Sequence, residues 1–202
     1  MAAVRTFSLP HYPDYPIQVA LFKDVKNATF LRSQLLEANA DFDYAFIDAT
    51  MILTPLHLLH PTFLSLHLAL STPPRLKSRT PHSEIIFRLH PNNNIGESYR
   101  KFGITDTTTS LIAVKLSLTP EITSESVAKH LGDVVEGTSV EIGENGEQLG
   151  EMCQVSKIRK VYKLGDGGKP KGKKGVVNGD ADVDERKQME SVILGIMSVK
   201  GT

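Results

Sequence analysis

Residues 79–110 read RTPHSEIIFRLHPNNNIGESYRKFGITDTTTS. The apolar run at 84–89 is short and bounded by polar residues, the pattern of a buried strand. An asparagine-rich turn follows. Asn94, with Glu97 three residues later, has the spacing of a capping box, in which each side chain satisfies a backbone N–H of the first helical turn. A short helix is therefore expected there. Gly103 stands directly after Phe102, where a helix stop favours a left-handed residue. A second strand is expected from about Ser110. Strand, helix and strand in such close order make an α/β arrangement.

The flanking sequence extends this pattern. Residues 16–22 (PIQVALF) alternate behind a proline and read as a first strand, preceded by an irregular N-terminal arm at 1–15. Asn27 is placed to cap a helix whose apolar positions Phe30, Leu31, Leu35 and Leu36 recur at helical spacing. A short strand at 44–47 follows. Thr54-Pro55 starts a second helix, with Thr as N-cap and Pro where its missing N–H does no harm. That helix runs to about Ser71, with Pro61 expected to kink or divide it, and Pro73-Pro74 ends it. Beyond the opening stretch come a strand at 111–116, a helix within 121–131 closed by Gly132, a strand or loop at 135–142, and a helix at 154–164. Residues 165–184 (GDGGKPKGKKGVVNGDADVD) offer little to bury and cannot offset their ordering entropy, so they read as a disordered insertion. A C-terminal helix from about Asp184 to Val199 follows this flexible linker. The expected fold is α/β: a single domain over 16–200, interrupted at 165–184, with a mixed β-sheet packed with helices.

Composition sets further bounds. A chain of 202 residues fits one domain with a real core. Lys and Arg total 23, as do Asp and Glu, so the formal net charge is zero. Any contact with nucleic acid must therefore come from a local patch. The single cysteine, Cys153, excludes an intramolecular disulfide and fits a reducing compartment. The prolines of the first sixteen residues exclude a secretory signal, and no apolar run is long enough for a membrane helix. The chain is expected in cytoplasm or nucleus, with no membrane partner.

The pattern RT-x(2)-SEIIF-x-L-x-PNNNI-x-E-x(3)-KFGI-x-D-x(2)-TS resembles the signature of the TPRKB family, small subunits of the KEOPS (or EKC) complex that bind a PRPK-type kinase. Residues 21–32, Thr54-Pro55, 157–164 and 190–200 resemble further segments of that family in the same order. The resemblance covers roughly 16–164 and 184–200. It implies a non-catalytic subunit of a complex that installs threonylcarbamoyl on the adenosine beside the anticodon of certain transfer RNAs. The kinase-like ATPase subunit would be the direct partner, with the other KEOPS subunits reached through it. A stand-alone small RNA-binding protein is the second reading.

Candidate residues follow from both lines of argument. Arg75, Lys77 and Arg79 alternate with Leu76 and Ser78 ahead of the central block, a pattern that on its own describes a solvated loop. The resemblance adds that archaeal relatives hold the single-stranded 3′ end of transfer RNA, and guanidinium groups clamp phosphate and stack on unpaired bases. Asn93 and Asn94, at the rim of a helix N-terminus, would add phosphate-binding groups. Met189, Val192, Ile193, Ile196 and Met197 fall at helical spacing near the C-terminus. They make a core stripe, broad enough that part of it would face the kinase, with Ile193 and Met197 the outward candidates.

Other constellations carry nothing. Gly167 to Lys174 nearly spells a phosphate loop, but Lys174 replaces the magnesium-binding hydroxyl and no helix-forming sequence follows. His57, His60 and His67 would share one helix face, yet His60 and His67 lie about 10 Å apart along the axis, too far for one zinc ion. Ser83, between His82 and Glu84 on an expected strand, makes no catalytic set because strand neighbours point to opposite faces. No metal, cofactor or catalytic residue is assigned.

Overall fold

The computed structural model describes residues 1–165 and 179–200. Most of the 165–184 insertion and the whole near-phosphate-loop at Gly167 to Lys174 lie outside the described residues. Among the described residues, five strands form one sheet. They are β1 (Val4–Leu9), β2 (Tyr12–Lys23), β3 (Ala45–Asp48), β4 (Leu111–Leu116) and β5 (Thr138–Val140). The order is β1-β2-β4-β3, with β5 pairing on β2 beyond the end of β1, and every pairing is antiparallel. The helices are α1 (Ala28–Leu36), α2 (Pro55–Leu70), α3 (Pro81–Leu89), α4 (Ile95–Phe102), α5 (Ser124–Val134), α6 (Val155–Tyr162) and α7 (Gly179–Ser198).

The period-2 alternation of the central strands divides the interior into two cores. Ile17, Val19 and Leu21 of β2, with Ile112, Val114 and Leu116 of β4, face the layer built by α2, α3, α6 and α7. Ala20 and Phe22, with Leu111 and Ala113, face α1 and α5. The result is an α/β sandwich with one sheet between two helical layers, in a single domain.

The N-terminal arm is not irregular. β1 pairs with β2 from Val4↔Ala20 to Leu9↔Tyr12, with a register shift between Phe7 and Leu9. Pro13 and Pro16 are tolerated because the ladder shared with β4 begins only at Ile17.

The larger correction concerns 84–89, which is helical. Thr80 accepts from Ser83 N at 3.2 Å, Ser83 Oγ accepts from Thr80 N at 2.8 Å, and Pro81 takes the first helical position. The capping box therefore sits one element earlier than the sequence pattern suggested. Ile85, Ile86, Phe87 and Leu89 are all buried, and so are Glu84 and Arg88, so the polar positions of this helix do not mark a solvent face. Asn94 does cap α4, accepting from Glu97 N at 3.0 Å, but the Glu97 carboxylate turns to Arg100 instead of completing a box.

Several punctuation residues do other work than expected. Gly103 has an extended backbone (φ −74°, ψ 167°). A side chain there would meet Tyr99 O at 2.7 Å, so close approach, not handedness, demands glycine. Gly132 lies inside α5, where the Met1 backbone crosses 2.8 Å from any added Cβ. Asn27 ties α1 to the end of α5 through Val134 O (2.8 Å) and Glu136 N (3.0 Å) rather than capping its own helix. α2 is one continuous helix across Pro61. α7 begins at Gly179, inside the segment expected to be linker.

Candidate nucleic-acid and partner interfaces

The first turn of α3 forms one wall of a cavity of about 780 Å³. Arg79 and Thr80 bring the start of that helix to it, Tyr99 and Arg100 bring α4, and Arg32, Leu35 and Leu36 bring α1. Phe42, Asp43 and Tyr44 close the floor, and Ile104 to Asp106 complete the rim. Arg32 is bridged to Asp106 at 3.1 Å and Arg100 pairs with Glu97, whereas Arg79 is exposed and enters no ion pair among the described residues. The site thus offers cations at its mouth and aromatic faces within, the combination used for unpaired nucleic acid.

Its electrostatics are set from behind. Burial alone would raise the Asp43 carboxyl, but hydrogen bonds from His82 and Thr80, with the charge of Lys115 nearby, outweigh it and hold Asp43 below the usual carboxylate range. Burial pushes Tyr99 upward, so its phenol stays protonated at neutral pH.

The structure separates the sequence candidates. Arg79 lines the cavity. Asn94 stands beside Gly96 of the rim, its Oδ1 only 3.4 Å from a Cβ placed there, while Asn93 is exposed on the same turn. Arg75 and Lys77 are exposed on the loop before α3 and do not line the cavity. Tyr99 and Arg100 lie within the identifying stretch but at its unspecified positions, so the pattern does not single them out. Arg32, Phe42, Asp43 and Tyr44 come from distant elements, and no local pattern announces their convergence.

A second surface lies on α2 and α7. Met189, Ile193 and Met197 are core residues, with Ile193 and Met197 at 0% exposure, so neither is an outward anchor. The outward side of α7 instead carries Val192 at 49%, with Ile196 half-buried, and Val199 just beyond the helix is 70% exposed. A side chain at Gly195, between Val192 and Val199, would meet open space. Leu56 of α2 is exposed as well, and Ser198 Oγ bonds His60 Nε2 at 3.0 Å where the two helices meet. The helical stripe was legible, but its orientation was not. Spacing alone identifies a face without saying what it packs against.

The α2 histidines are structural. His57 is fully buried, and Nδ1 accepts Leu53 N–H at 3.1 Å. Nε2 therefore carries the proton and donates to Tyr162 Oη at 2.8 Å, and Tyr162 donates to Leu89 O. His67 Nδ1 bonds Tyr12 Oη at 2.6 Å. Among the described residues no three potential metal ligands cluster.

The molecule is a small α/β sandwich with an arginine-rimmed cavity and exposed apolar side chains at the end of the chain. The chain belongs to the family described as kinase binding protein CGI-121, which matches residues 22–201. It is 59% identical over 234 residues to the EKC/KEOPS complex subunit CGI121 of Phaeosphaeria nodorum, across 99% of this chain and 100% of that one. It is 45% identical over 199 residues to the EKC/KEOPS complex subunit cgi121 of Aspergillus fumigatus, across 98% of this chain and 97% of that one. Identity to the EKC/KEOPS complex subunit TPRKB of Danio rerio is 34% over 162 residues, across 79% of this chain and 85% of that one.

Proposed function

We propose that this chain is a non-catalytic subunit of a KEOPS/EKC-type complex for threonylcarbamoyladenosine modification of transfer RNA. It binds the PRPK-type kinase subunit through the outward faces of α2 and α7, and holds the unpaired 3′ end of the RNA in the cavity at the start of α3. Complex membership is supported by full-length similarity to proteins that carry that name. The observation that carries the RNA half is the cavity itself. Arg79, exposed and in no ion pair among the described residues, stands at the mouth of a site walled by Tyr99 and Phe42. Phosphate clamping and base stacking need those two chemistries side by side.

Full-length similarity to proteins named as complex subunits favours a subunit over a stand-alone RNA-binding protein, with Val192, Val199 and Leu56 as exposed apolar side chains for a partner to cover. No proton-transfer role falls to His82, whose two ring nitrogens are committed to Asp43 and to Leu116 N–H. Co-expression with a PRPK-type kinase tests the reading. A stable binary complex that binds transfer RNA more tightly than the kinase alone is expected. Failure to co-purify, with the chain folded, would contradict it.

A further inference from the structure

A carboxylate inside a site for a polyanion calls for an explanation. Asp43 lines the cavity with its side chain 38% exposed. Its Oδ1 accepts from Thr80 Oγ1 and its Oδ2 from His82 Nδ1, each at 3.0 Å. The protons on those bonds are fixed by what lies behind them. His82 Nε2 accepts Leu116 N–H at 3.0 Å, so the ring proton must be on Nδ1. Thr80 Oγ1 accepts Ser83 N–H at 3.2 Å, which leaves its own hydrogen for Asp43. Lys115 Nζ holds the Asp43 backbone oxygen at 2.6 Å. Asp43 is thus fixed in position as an acceptor that lines the cavity, part-exposed and with acceptor capacity beyond its two internal bonds. A carboxylate disfavours phosphate at this point and favours a hydrogen-bond donor of the ligand there.

We infer that Asp43 accepts the N4 amino group of an unpaired cytosine and selects cytosine over uracil at one position of the bound 3′ end. The inference rests on the reading of the cavity as the site for the C-C-A end of transfer RNA. Cytosine presents an amino donor where uracil presents a carbonyl oxygen, and a carboxylate accepts from the first and repels the second. Arg79 at the rim remains for phosphate, and Tyr99 for stacking. Asp43 is in this account a specificity residue of the binding site. A purely structural role, tethering the turn at 40–42 to the start of α3, would leave base preference untouched.

The test uses the full chain and labelled RNA hairpins whose unpaired 3′ ends are ACCA or AUUA, read by fluorescence anisotropy. The ACCA end should bind about tenfold more tightly, the worth of one well-placed base contact. Asp43→Asn, melting as the wild type does, should bind both ends with nearly equal affinity. Replacing cytidine by its analogue that lacks only the 4-amino group should cost the wild type the same factor, a comparison that stands even if the variant fails to fold. Equal binding of ACCA and AUUA, each dependent on the unpaired end, would overturn the role of Asp43 and leave the cavity reading intact. Binding that ignores the presence of any unpaired end would overturn both.

Discussion

Arg88 Nε lies 3.0 Å from Glu84 Oε1, one turn away on α3, and the two side chains are 6% and 0% exposed. The other Glu84 oxygen accepts from Lys77 N (2.9 Å), Ser78 N (2.8 Å) and Ser78 Oγ (2.8 Å). Arg88 Nη1 donates to Lys200 O at 2.8 Å, and Lys200 Nζ reaches Phe87 O and His90 O at the end of α3. One buried ion pair therefore fixes both the loop that presents Arg79 and the far end of α7. The two proposed surfaces share a single structural anchor.

Removing one member of that pair should be costly. Glu84→Ala leaves the Arg88 charge buried without its partner and strips the loop at 77–78 of its acceptor. A loss of about 3–5 kcal/mol is expected in urea unfolding, the usual cost of breaking a buried pair. A loss below about 1 kcal/mol would mean that the pair is dispensable.

The buried histidine of α2 predicts acid sensitivity. Burial pushes His57 down to about 3 from an ordinary value of 6.5. The folded state thus holds fewer protons than the unfolded state between those values. The stability His57 contributes is complete above pH 6.5 and is lost as pH falls toward 3. Burial drives His82 down too, against the opposing pull of Asp43, so it acts in the same direction. His57 alone should cost about 2 kcal/mol between pH 7.5 and pH 5. His57→Gln should be less stable at pH 7.5 yet lose about 2 kcal/mol less over that interval. Parallel pH profiles for the two proteins would contradict the assignment.

The layered fold could be read from the sequence because its signals are periodic and local. Ile17 to Phe22 alternate, Leu111 to Val114 form a continuous apolar run, and Thr54-Pro55 marks a helix start that the structure reproduces with Thr54 accepting His57 N–H. Thr80-Pro81 carries the same start signal, but the run behind it is short and α3 is buried from Glu84 to Leu89, so it has the length and burial of a buried strand. β1 was hidden by prolines that a bulged edge pairing accommodates. Arg79 was visible within the site. Arg32, Asp43 and the orientation of α7 were not, since each depends on contacts between elements far apart in sequence.

On α7, exposure separates interface from core. Val192→Glu should leave the fold intact and abolish co-purification with the kinase, because burying a charge at an apolar contact costs several kcal/mol, about a thousandfold or more in affinity. Ile193→Glu, one position on, should instead unfold the chain, since that side chain is wholly enclosed. Circular dichroism with a pull-down of both variants checks the pair. A folded Val192→Glu protein that still holds the kinase tightly would move the interface elsewhere.

The central claim is that the cavity at the start of α3 holds the unpaired 3′ end of transfer RNA. Its most direct measurement compares the affinity of the wild type and Arg79→Ala for intact transfer RNA and for the same RNA trimmed of its unpaired 3′ nucleotides. Trimming should weaken the wild type more than it weakens Arg79→Ala, because the variant already lacks one of the contacts that trimming removes. The salt slope should fall by about 0.7 in the variant, the share of one phosphate contact on a single strand. Arg75→Ala with Lys77→Ala, outside the cavity, should cost less than Arg79→Ala alone. Equal wild-type affinity for intact and trimmed RNA would contradict the account.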